Sequence, residues 1–401
     1  MTRVHRAAWV LPISAPPIRD GWVEVRDGRI VGAGGADDAR CRSSQDIRQV
    51  AILPGLVNAH VHLELSWMRG LVPPGDSMPV WASTLIALRR SSTLDPGVAI
   101  AAGIADARAA GTSLVGDIAN TPGTLAPLAA SELSALVFRE LIGFRVDDVV
   151  PVIEQAEQEA ESVRLPSRVR TTLAPHAPYS VSPALLRALG LYRADRPISI
   201  HLGESGAELE FLRAGTGAWR DVLERVGAWN ASWQAPGVGP VEYLQQVGLL
   251  SARTLVVHGV QLTPEELARV AGAGATIVTC PRSNQWTGAG TPPIEAFYAS
   301  GARVAIGTDS LASVASLSIF DEMAAVHRLA PAVPASRILQ SATLDGASAL
   351  GFDDLGAIIP GRRAELLAVQ LPGPMTNAVD VEQYLVGGVP QSAVTWLDAE
   401  P

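Results

Sequence analysis

One stretch of the sequence indicates the fold, Pro54-Gly55-Leu56-Val57-Asn58-Ala59-His60-Val61-His62-Leu63-Glu64. Its apolar residues predict a buried strand, and this strand ends in two histidines that are two positions apart. In an extended chain that spacing points both imidazoles to the same side. Two neutral imidazole nitrogens on one face form half of a metal site, although a lone His-x-His pair also occurs on ordinary surfaces and in cores.

Further polar residues follow short apolar runs in the same way. They are His176, His201, His258 and Asp309. The active site of a parallel barrel lies at the carboxyl ends of its strands, so polar groups that recur at strand ends predict an active site. His5 and His327 lack this context, and we expect ordinary surface or helix positions for them.

The composition narrows the class of protein. The chain has 401 residues, of which 48% are hydrophobic and 18% charged, and this predicts a soluble globular protein with a large core. The net charge of -9 argues against a nucleic-acid surface, and no apolar run approaches the roughly 20 residues that cross a bilayer. The two cysteines, Cys41 and Cys280, are far apart, so we expect no disulfide framework and a cytoplasmic protein.

From Leu56 onward, apolar strand patterns alternate with amphipathic helix patterns, which predicts a parallel sheet. The strand candidates are 56–62, 112–118, 134–142, 168–175, 197–202, 254–258, 275–280 and 303–308. The helical segments between them include 97–110, 148–163, 183–194, 263–272, 292–300 and 315–330. Eight strands with intervening helices predict a closed (β/α)8 TIM barrel rather than an open sheet.

The two ends of the chain follow a different pattern. Residues 1 to about 53 contain short strand patterns and turns, including a hairpin turn at Asp27-Gly28, and strand pattern returns between Gly356 and Val369. We therefore expect a small β-sandwich domain built from residues 1–54 and 356–401, beside a barrel over residues 55–355.

The segment 214–241 does not fit the alternation of strands and helices. It carries Trp219, Trp229 and Trp233 among glycines and prolines, so we expect a long irregular segment. Such a segment forms either a lid or substrate wall at the catalytic face, or a packed excursion that its tryptophans hold down.

Taken in order, these motifs resemble those of the amidohydrolase superfamily and, within it, the branch of cytosine deaminases and chlorohydrolases. The resemblance extends from Asp27-Gly28-Arg29-Ile30 to the turn at 356–361. The motifs at successive strand ends are Pro54-Gly55-Leu56-Val57-Asn58-Ala59-His60-Val61-His62, Ala174-Pro175-His176-Ala177-Pro178-Tyr179-Ser180, His201-Leu202-Gly203-Glu204, His258-Gly259 and Gly307-Thr308-Asp309-Ser310.

The resemblance implies that His60, His62, His201 and Asp309 are metal ligands. Three neutral imidazoles and one carboxylate suit Zn²⁺, with Fe²⁺ as the second choice, and leave a position open for water. Some branches of the superfamily hold two metals bridged by a carboxylated lysine. This chain contains no lysine, because all 31 of its basic residues are arginine, so we expect one metal per chain.

Similar enzymes also imply roles for the catalytic side chains. Asp309 would take a proton from the water that the metal activates, and Glu204 would protonate the ring nitrogen of an aromatic amine. His258 would hydrogen-bond the water or the developing alkoxide. The alternative for Glu204 is a carboxylate at the start of a helix, stabilised by the helix dipole.

The first two candidates for substrate binding lie close to the expected ligands. By resemblance to nucleoside-processing relatives, His176 belongs to the substrate wall. Glu64 follows the two histidines on the same face of the strand if the strand continues, where it either binds a ribose hydroxyl or pairs with an arginine.

The remaining candidates lie in two loops. Arg282 and Asn284 follow the seventh strand and can reach the substrate from there. Arg145, together with Arg139 and Glu140, lies around the end of the third strand. Arginine suits bidentate capture of a carboxylate, but a structural ion pair is at least as well supported for these three residues.

The combined motifs look most like those of deaminases of 6-amino-6-deoxyfutalosine, an adenine nucleoside that carries a benzoate and belongs to menaquinone synthesis. An acidic substrate would make use of an arginine at the mouth of the site. Deamination of adenosine, S-adenosylhomocysteine or guanine fits the same metal site, as do ring opening in the manner of imidazolonepropionase-like relatives and displacement of halide from a triazine.

A non-catalytic scaffold on this fold would lack the metal ligands, whereas this chain has all the expected ligands and acid/base residues. We therefore expect an enzyme with a small-molecule substrate. The net charge and the absence of a long apolar run lead us to expect neither a nucleic-acid nor a membrane partner. Dimers are common among similar proteins, but no segment of this chain predicts a homodimer.

Overall fold

The computed structural model describes residues 2–37, 45–46, 49–192 and 195–397. Its strands in chain order are β1 (Thr2–Val10), β2 (Ile18–Arg26), β3 (Arg29–Gly34), β4 (Gln45–Asp46), β5 (Val50–Pro54), β6 (Leu56–Val61), β7 (Thr112–Ala119), β8 (Ser134–Leu141), β9 (Val169–Pro175), β10 (Ile198–Leu202), β11 (Thr254–His258), β12 (Thr276–Thr279), β13 (Arg303–Ile306), β14 (Leu366–Gln370) and β15 (Val394–Leu397).

Its α-helices are α1 (Met78–Ser91), α2 (Gly97–Ala109), α3 (Leu125–Ala130), α4 (Val150–Glu161), α5 (Pro183–Leu191), α6 (Gly206–Ala214), α7 (Ala218–Arg225), α8 (Pro240–Gln246), α9 (Pro264–Gly272), α10 (Pro281–Trp286), α11 (Ile294–Ala299), α12 (Ile319–Leu329), α13 (Ala335–Gln340), α14 (Gly346–Ala349) and α15 (Ala378–Val386). Helices α13 and α14 are joined by one turn of π-helix, Ser341–Asp345.

The strands from both ends of the chain belong to one sheet, so the termini build a common β domain, as the sequence predicts. The strand order is β15-β14-β5-β1-β2-β3, with β4 paired to β1. The predicted hairpin turn joins β2 to β3, and both Asp27 and Gly28 have positive φ, which a two-residue turn of this type requires. The division of the chain into domains at residues 54 and 356 stays a prediction.

The other eight strands close the parallel barrel. Strands β6 to β9 pair with one another in order, and so do β10 to β13. Hydrogen bonds join the two groups at both seams: the His201 N–H donates to the carbonyl of His176 at 2.9 Å, and the Asp309 N–H donates to the carbonyl of His60 at 3.0 Å. The predicted fold class is confirmed, and each predicted barrel strand lies within two residues of its observed bounds.

Segment 214–241 is more regular than predicted, and the expectation of a long irregular segment is wrong for residues 218–225. Helix α7 occupies these residues, and α8 begins at Pro240. The buried residues Trp219, Val222 and Leu223 follow helical spacing, but a helix of eight residues is too short for the period to be recognised.

Two smaller predictions concern cysteines and membranes. Cys280 is a buried free thiol, whereas Cys41 lies outside the described residues. Among the described residues, no helix has both the length and the apolar character that a membrane span requires.

Candidate metal centre and active site

Five histidines and one aspartate meet at the carboxyl ends of the barrel strands. The ligand atoms of His60, His62 and Asp309 lie within 4.8 Å of one another, and so do those of His60, His201 and His258. All of these side chains except His176 are buried in the described structure, and His176 is partly buried. The barrel therefore brings together the residues that the sequence places at separate strand ends.

His60 is the most informative member of this cluster. Its side chain is fully buried, and neither ring nitrogen has a hydrogen-bond partner among the described residues. An unpaired buried polar group is costly, at about 1–3 kcal/mol. Burial first, and then the neighbouring histidines, hold the pKa of His60 well below its usual range, so the ring is neutral. A neutral, buried imidazole with free nitrogens fits a metal ligand.

Two of the other candidate ligands, His201 and Asp309, are oriented by hydrogen bonds to neighbouring protein groups. Nδ1 of His201 lies 2.9 Å from the carbonyl oxygen of His176, so Nδ1 carries the proton and Nε2 is available to a metal. Burial is the main cause that lowers the pKa of His62 to about 3 and of His201 to about 4. Ser283 Oγ donates to Asp309 Oδ2 at 2.6 Å, while Asp309 Oδ1 lies 3.5 Å from His62 Nε2.

Two residues of the cluster hold an unusual backbone conformation. The φ angle is +73° at His258 and +62° at Asp309, in the left-handed region that residues other than glycine rarely adopt. Such conformations cost about 1–3 kcal/mol and persist only where the surrounding structure imposes them. Both side chains line the cavity described below, so the two strained residues lie at the candidate site.

Glu204 and His258 form a second functional unit beside the candidate ligands. Glu204 Oε1 lies 3.6 Å from His258 Nε2, and Asn284 Nδ2 lies 3.0 Å from His258 Nδ1 on the other side of the ring. Burial, then the charges of Asp309 and Glu208, raise the pKa of Glu204 well above its usual range. Burial therefore favours the protonated form of the Glu204 carboxyl group, which is the form that can donate a proton.

A cavity of about 390 Å³ opens onto this cluster. His62, His201, Glu204, His258 and Asp309 line its floor. Its walls are mainly apolar and come from α1, from α7 with the residues after it, and from the loop after β8: Met78, Trp81, Leu85, Ile86, Phe144, Val222, Leu223 and Val226. The cavity combines a polar reacting end with an apolar vestibule, which is typical of a small-molecule site.

Of the five predicted substrate residues, His176 lines the cavity and the other four do not. His176 lines the cavity, with Nδ1 2.6 Å from Ser180 Oγ, and Arg145 lies next to the lining residue Phe144, where it donates to the carbonyl of Gly227 at 3.3 Å. Asn284 is buried behind His258. Glu64 and Arg282 do not line the cavity.

Both of the latter residues have other partners. Glu64 Oε1 accepts a hydrogen bond from Arg89 at 2.7 Å, and its Oε2 accepts the backbone N–H groups of Asn120 and Thr121. Arg282 pairs with the buried Glu322 at 2.7 Å. Of the two roles considered for Glu64, the structure therefore contains the pairing with an arginine, Arg89.

Sequence analysis missed the wall that α1 supplies. Arg89 lines the cavity and contacts both Glu64 and Asn120 Oδ1, the latter at 2.8 Å. The available signal was Ser77-Met78-Pro79, a helix-start pattern with proline in the first turn, followed by apolar residues at Trp81 and Leu85. Tyr179 also lines the cavity and stacks on Trp219 with ring centroids 3.9 Å apart, a contact that its own motif does not predict.

Comparison with known proteins gives one family match. The model of the amidohydrolase family matches residues 51–393. The chain is 33% identical over 347 residues to an aminodeoxyfutalosine deaminase of Deinococcus radiodurans, covering 82% of this chain and 81% of that protein. It is 30% identical over 379 residues to a 5-methylthioadenosine/S-adenosylhomocysteine deaminase of Nitratidesulfovibrio vulgaris, covering 89% and 81%.

A solved structure agrees in fold over almost the whole chain. It is an adenosine deaminase from Xanthomonas campestris with bound zinc, with a TM-score of 0.80 and 28% sequence identity. The match covers 98% of this chain and 90% of that one.

Proposed function

Since the chain belongs to the amidohydrolase family and is a hydrolase that acts on C–N bonds, we propose that it deaminates the aromatic amine of a purine nucleoside, with 6-amino-6-deoxyfutalosine as the preferred substrate. The observation that carries this proposal is Glu204. It is a buried carboxyl group, with its pKa raised by burial, 3.6 Å from His258 at the floor of the cavity that His62, His201 and Asp309 also line. A proton donor in this place serves a basic ring nitrogen.

The donor set supports one metal ion per chain. His60, His62, His201 and Asp309 supply three neutral imidazoles and a carboxylate, a set that suits Zn²⁺, and the free nitrogens of the buried His60 ring support that assignment. The related adenosine deaminase structure has bound zinc. A metal ion held there acts as a Lewis acid that activates water for hydrolysis. Without lysine, the chain lacks the bridging ligand that some two-metal relatives use.

The residues of the chain then divide the proton transfers. Glu204 donates its proton to the ring nitrogen beside the carbon that carries the amino group, so that this carbon accepts the attacking water oxygen. Asp309 accepts one proton of the water and passes it to the departing amino group. As the C–N bond breaks and the carbonyl forms, the second water proton returns to Glu204 and restores its carboxyl form. His258 donates a hydrogen bond to the oxygen that becomes the carbonyl. Water and the aminopurine thus give the oxopurine and ammonia, and each transfer group contributes about 10²–10⁴-fold.

The vestibule bears on the choice of nucleoside. Its apolar walls favour an apolar substituent on the sugar, and Arg145 at its rim favours a carboxylate at the far end of that substituent. Both properties occur in 6-amino-6-deoxyfutalosine, and a relative at 33% identity is named for that activity. The apolar walls equally fit the methylthio group of 5′-methylthioadenosine, which makes this nucleoside the second candidate substrate.

The direct test is ammonia release from protein whose zinc content has been measured. The panel contains 6-amino-6-deoxyfutalosine, 5′-methylthioadenosine, S-adenosylhomocysteine and adenosine. We expect about one zinc per chain and the highest kcat/KM for 6-amino-6-deoxyfutalosine. Higher kcat/KM for 5′-methylthioadenosine would replace the preferred substrate, and no ammonia from any nucleoside with zinc-loaded protein would refute purine deamination.

A matched pair of variants tests the role of Glu204. Glu204→Gln keeps the size of the side chain but removes the transferable proton, so we expect kcat to fall by about 10²–10⁴-fold with zinc content unchanged. Glu210→Gln is the control, because Glu210 is an exposed residue of the following helix. Equal activity of both variants would exclude Glu204 as the proton donor.

A further inference from the structure

We propose that Glu208 is a positioning residue that holds the backbone of Glu204 for proton transfer, an inference that rests on the function proposed above.

The carboxylate of Glu208 binds the loop that carries Glu204. Its Oε1 accepts the N–H of Gly203 at 2.9 Å, and its Oε2 accepts the N–H of Glu204 itself at 3.0 Å. Glu208 is fully buried and lies in the first turn of α6, two helical positions after Gly206. One buried side chain therefore holds the two successive amides of Gly203 and Glu204, directly after the candidate ligand His201 and at the proton donor itself.

This arrangement differs from ordinary helix capping. Ser205 is the N-cap of α6, and its side chain accepts the N–H of Glu208. In the usual capping box, the glutamate at this position returns to the N–H of the cap residue. Glu208 instead reaches one and two residues further back. The usual arrangement is present in α9, where Glu266 accepts the N–H of the cap residue Thr263 at 3.0 Å.

The loop needs such an anchor for a chemical reason. A carboxyl group that transfers a proton cannot be tied by many hydrogen bonds of its own, and Glu204 Oε2 has no partner among the described residues. The orientation of Glu204 therefore depends on its backbone. That backbone follows Gly203, where φ is +61° and the chain turns sharply. Removal of Glu208 would leave two buried N–H groups unpaired and free this turn to relax.

Glu208 also affects Glu204 electrostatically. It contributes, after burial and Asp309, to the raised pKa of Glu204. Both effects reach the substrate only through Glu204, because Glu208 does not line the cavity. Substitution of Glu208 should therefore affect catalysis only while Glu204 is present.

A double-mutant cycle on zinc-loaded full-length protein separates positioning from general damage. Glu208→Gln keeps one accepting oxygen and loses the other, so we expect kcat for 6-amino-6-deoxyfutalosine to fall by about 10–100-fold, with KM changed by less than about two-fold. In a Glu204→Gln background the same substitution should cause no further loss. Equal losses in both backgrounds, or no loss in the wild-type background, would overturn the proposal. Glu266→Gln, the ordinary cap, should keep wild-type kcat.

A second measurement does not depend on any substrate. Amide hydrogen exchange should be slow at Gly203 and Glu204 in the wild-type protein, and the Glu208→Ala variant should lose protection there by at least about 10-fold while strand β11 keeps it. Protection retained at both amides would overturn the proposal. If the wild-type enzyme deaminates no nucleoside, the proposed function fails, and the exchange result still decides whether Glu208 holds this loop.

Discussion

Asn58 and Thr308 form two hydrogen bonds across the seam that closes the barrel. Asn58 Nδ2 donates to Thr308 Oγ1 at 2.7 Å, and the Thr308 N–H donates to Asn58 Oδ1 at 3.1 Å. Both residues are fully buried. Asn58 precedes His60 by two positions and Thr308 directly precedes Asp309, so this pair fixes candidate ligands from the first and last barrel strands relative to each other.

Loss of this pair should weaken metal binding more than it weakens the fold. We expect Asn58→Leu and Thr308→Val each to lower zinc affinity by about 10–100-fold, because residues that orient ligands have effects of this size. The measurement is equilibrium competition with a chromogenic chelator. Thr254→Val is the control, since this buried threonine begins strand β11 and so lies at the end of the strand away from His258 and the candidate ligands. Wild-type affinity in both seam variants would contradict the prediction.

The contact between Asn284 and His258 should set which ring nitrogen carries the proton. The amide nitrogen of Asn284 faces Nδ1, so Nδ1 accepts and the proton lies on Nε2, towards Glu204 and the cavity. Asn284→Asp presents a carboxylate that favours a proton on Nδ1. We expect kcat to fall by about 10²–10⁴-fold in this variant, as for other tautomer reversals, and by less in Asn284→Ala. Comparable kcat values for the aspartate variant and the wild type would exclude this role.

The sequence predicts most of the reacting end of the site because the signal there is local. His60, His62, His201 and Asp309 each follow a short apolar run, and the barrel topology brings all strand ends to one rim. No knowledge of side-chain partners is needed for that inference.

The walls of the site are harder to predict because they depend on pairs of residues far apart in sequence. Glu64 would face the ligands only if the strand continued, but β6 ends at Val61 and Glu64 lies in a 3-10 turn, Leu63–Met68. Arg89 from α1 and the amides after β7 occupy its oxygens. Arg282 likewise does not line the cavity and instead pairs with the buried Glu322 on α12, 40 residues later. Sequence position gives the strand end on which a residue lies, but not the direction in which its side chain turns after the strand.

Arg145 provides a test of substrate choice at the rim. Its guanidinium has five N–H donors, and one of them is used on the carbonyl of Gly227. We expect Arg145→Gln to raise KM for 6-amino-6-deoxyfutalosine by about 10-fold, the value of one lost charged contact. KM for 5′-methylthioadenosine, which has no carboxylate, should not change. Arg328→Gln, at an exposed site on α12, is the control. A parallel rise in both KM values would contradict recognition of a carboxylate.

Arg282 should affect stability rather than substrate binding. It donates to Glu322, Asp321 and Ser316, and Glu322 is fully buried. Breaking a buried ion pair costs about 3–5 kcal/mol, because one charge is left without a partner. We expect Arg282→Met to lose stability of this order at pH 8 in urea unfolding, and the additional change Glu322→Leu to restore part of it. A rise in KM with unchanged stability would instead place Arg282 in contact with substrate.

Asp117 should make stability depend on pH in a defined direction. It is fully buried in β7, and its Oδ1 accepts the N–H of Leu63, directly after the two histidines. Burial raises its pKa from 3.8 to about 7. Between these two values the folded state binds more protons than the unfolded state, so the contribution of Asp117 to stability falls as pH rises from about 4 to about 7.

The variant Asp117→Asn removes this dependence and keeps an oxygen that can accept the Leu63 N–H. Relative to the wild type, the variant should therefore gain a few kcal/mol of unfolding free energy between pH 5 and pH 8. Urea unfolding of the metal-free proteins at both pH values gives the difference, in which the titration of the buried histidines cancels. Asp353→Asn, at an exposed position, should show no such gain. If the difference between wild type and Asp117→Asn is the same at pH 5 and pH 8, Asp117 is ionised at both pH values and its burial does not govern its titration.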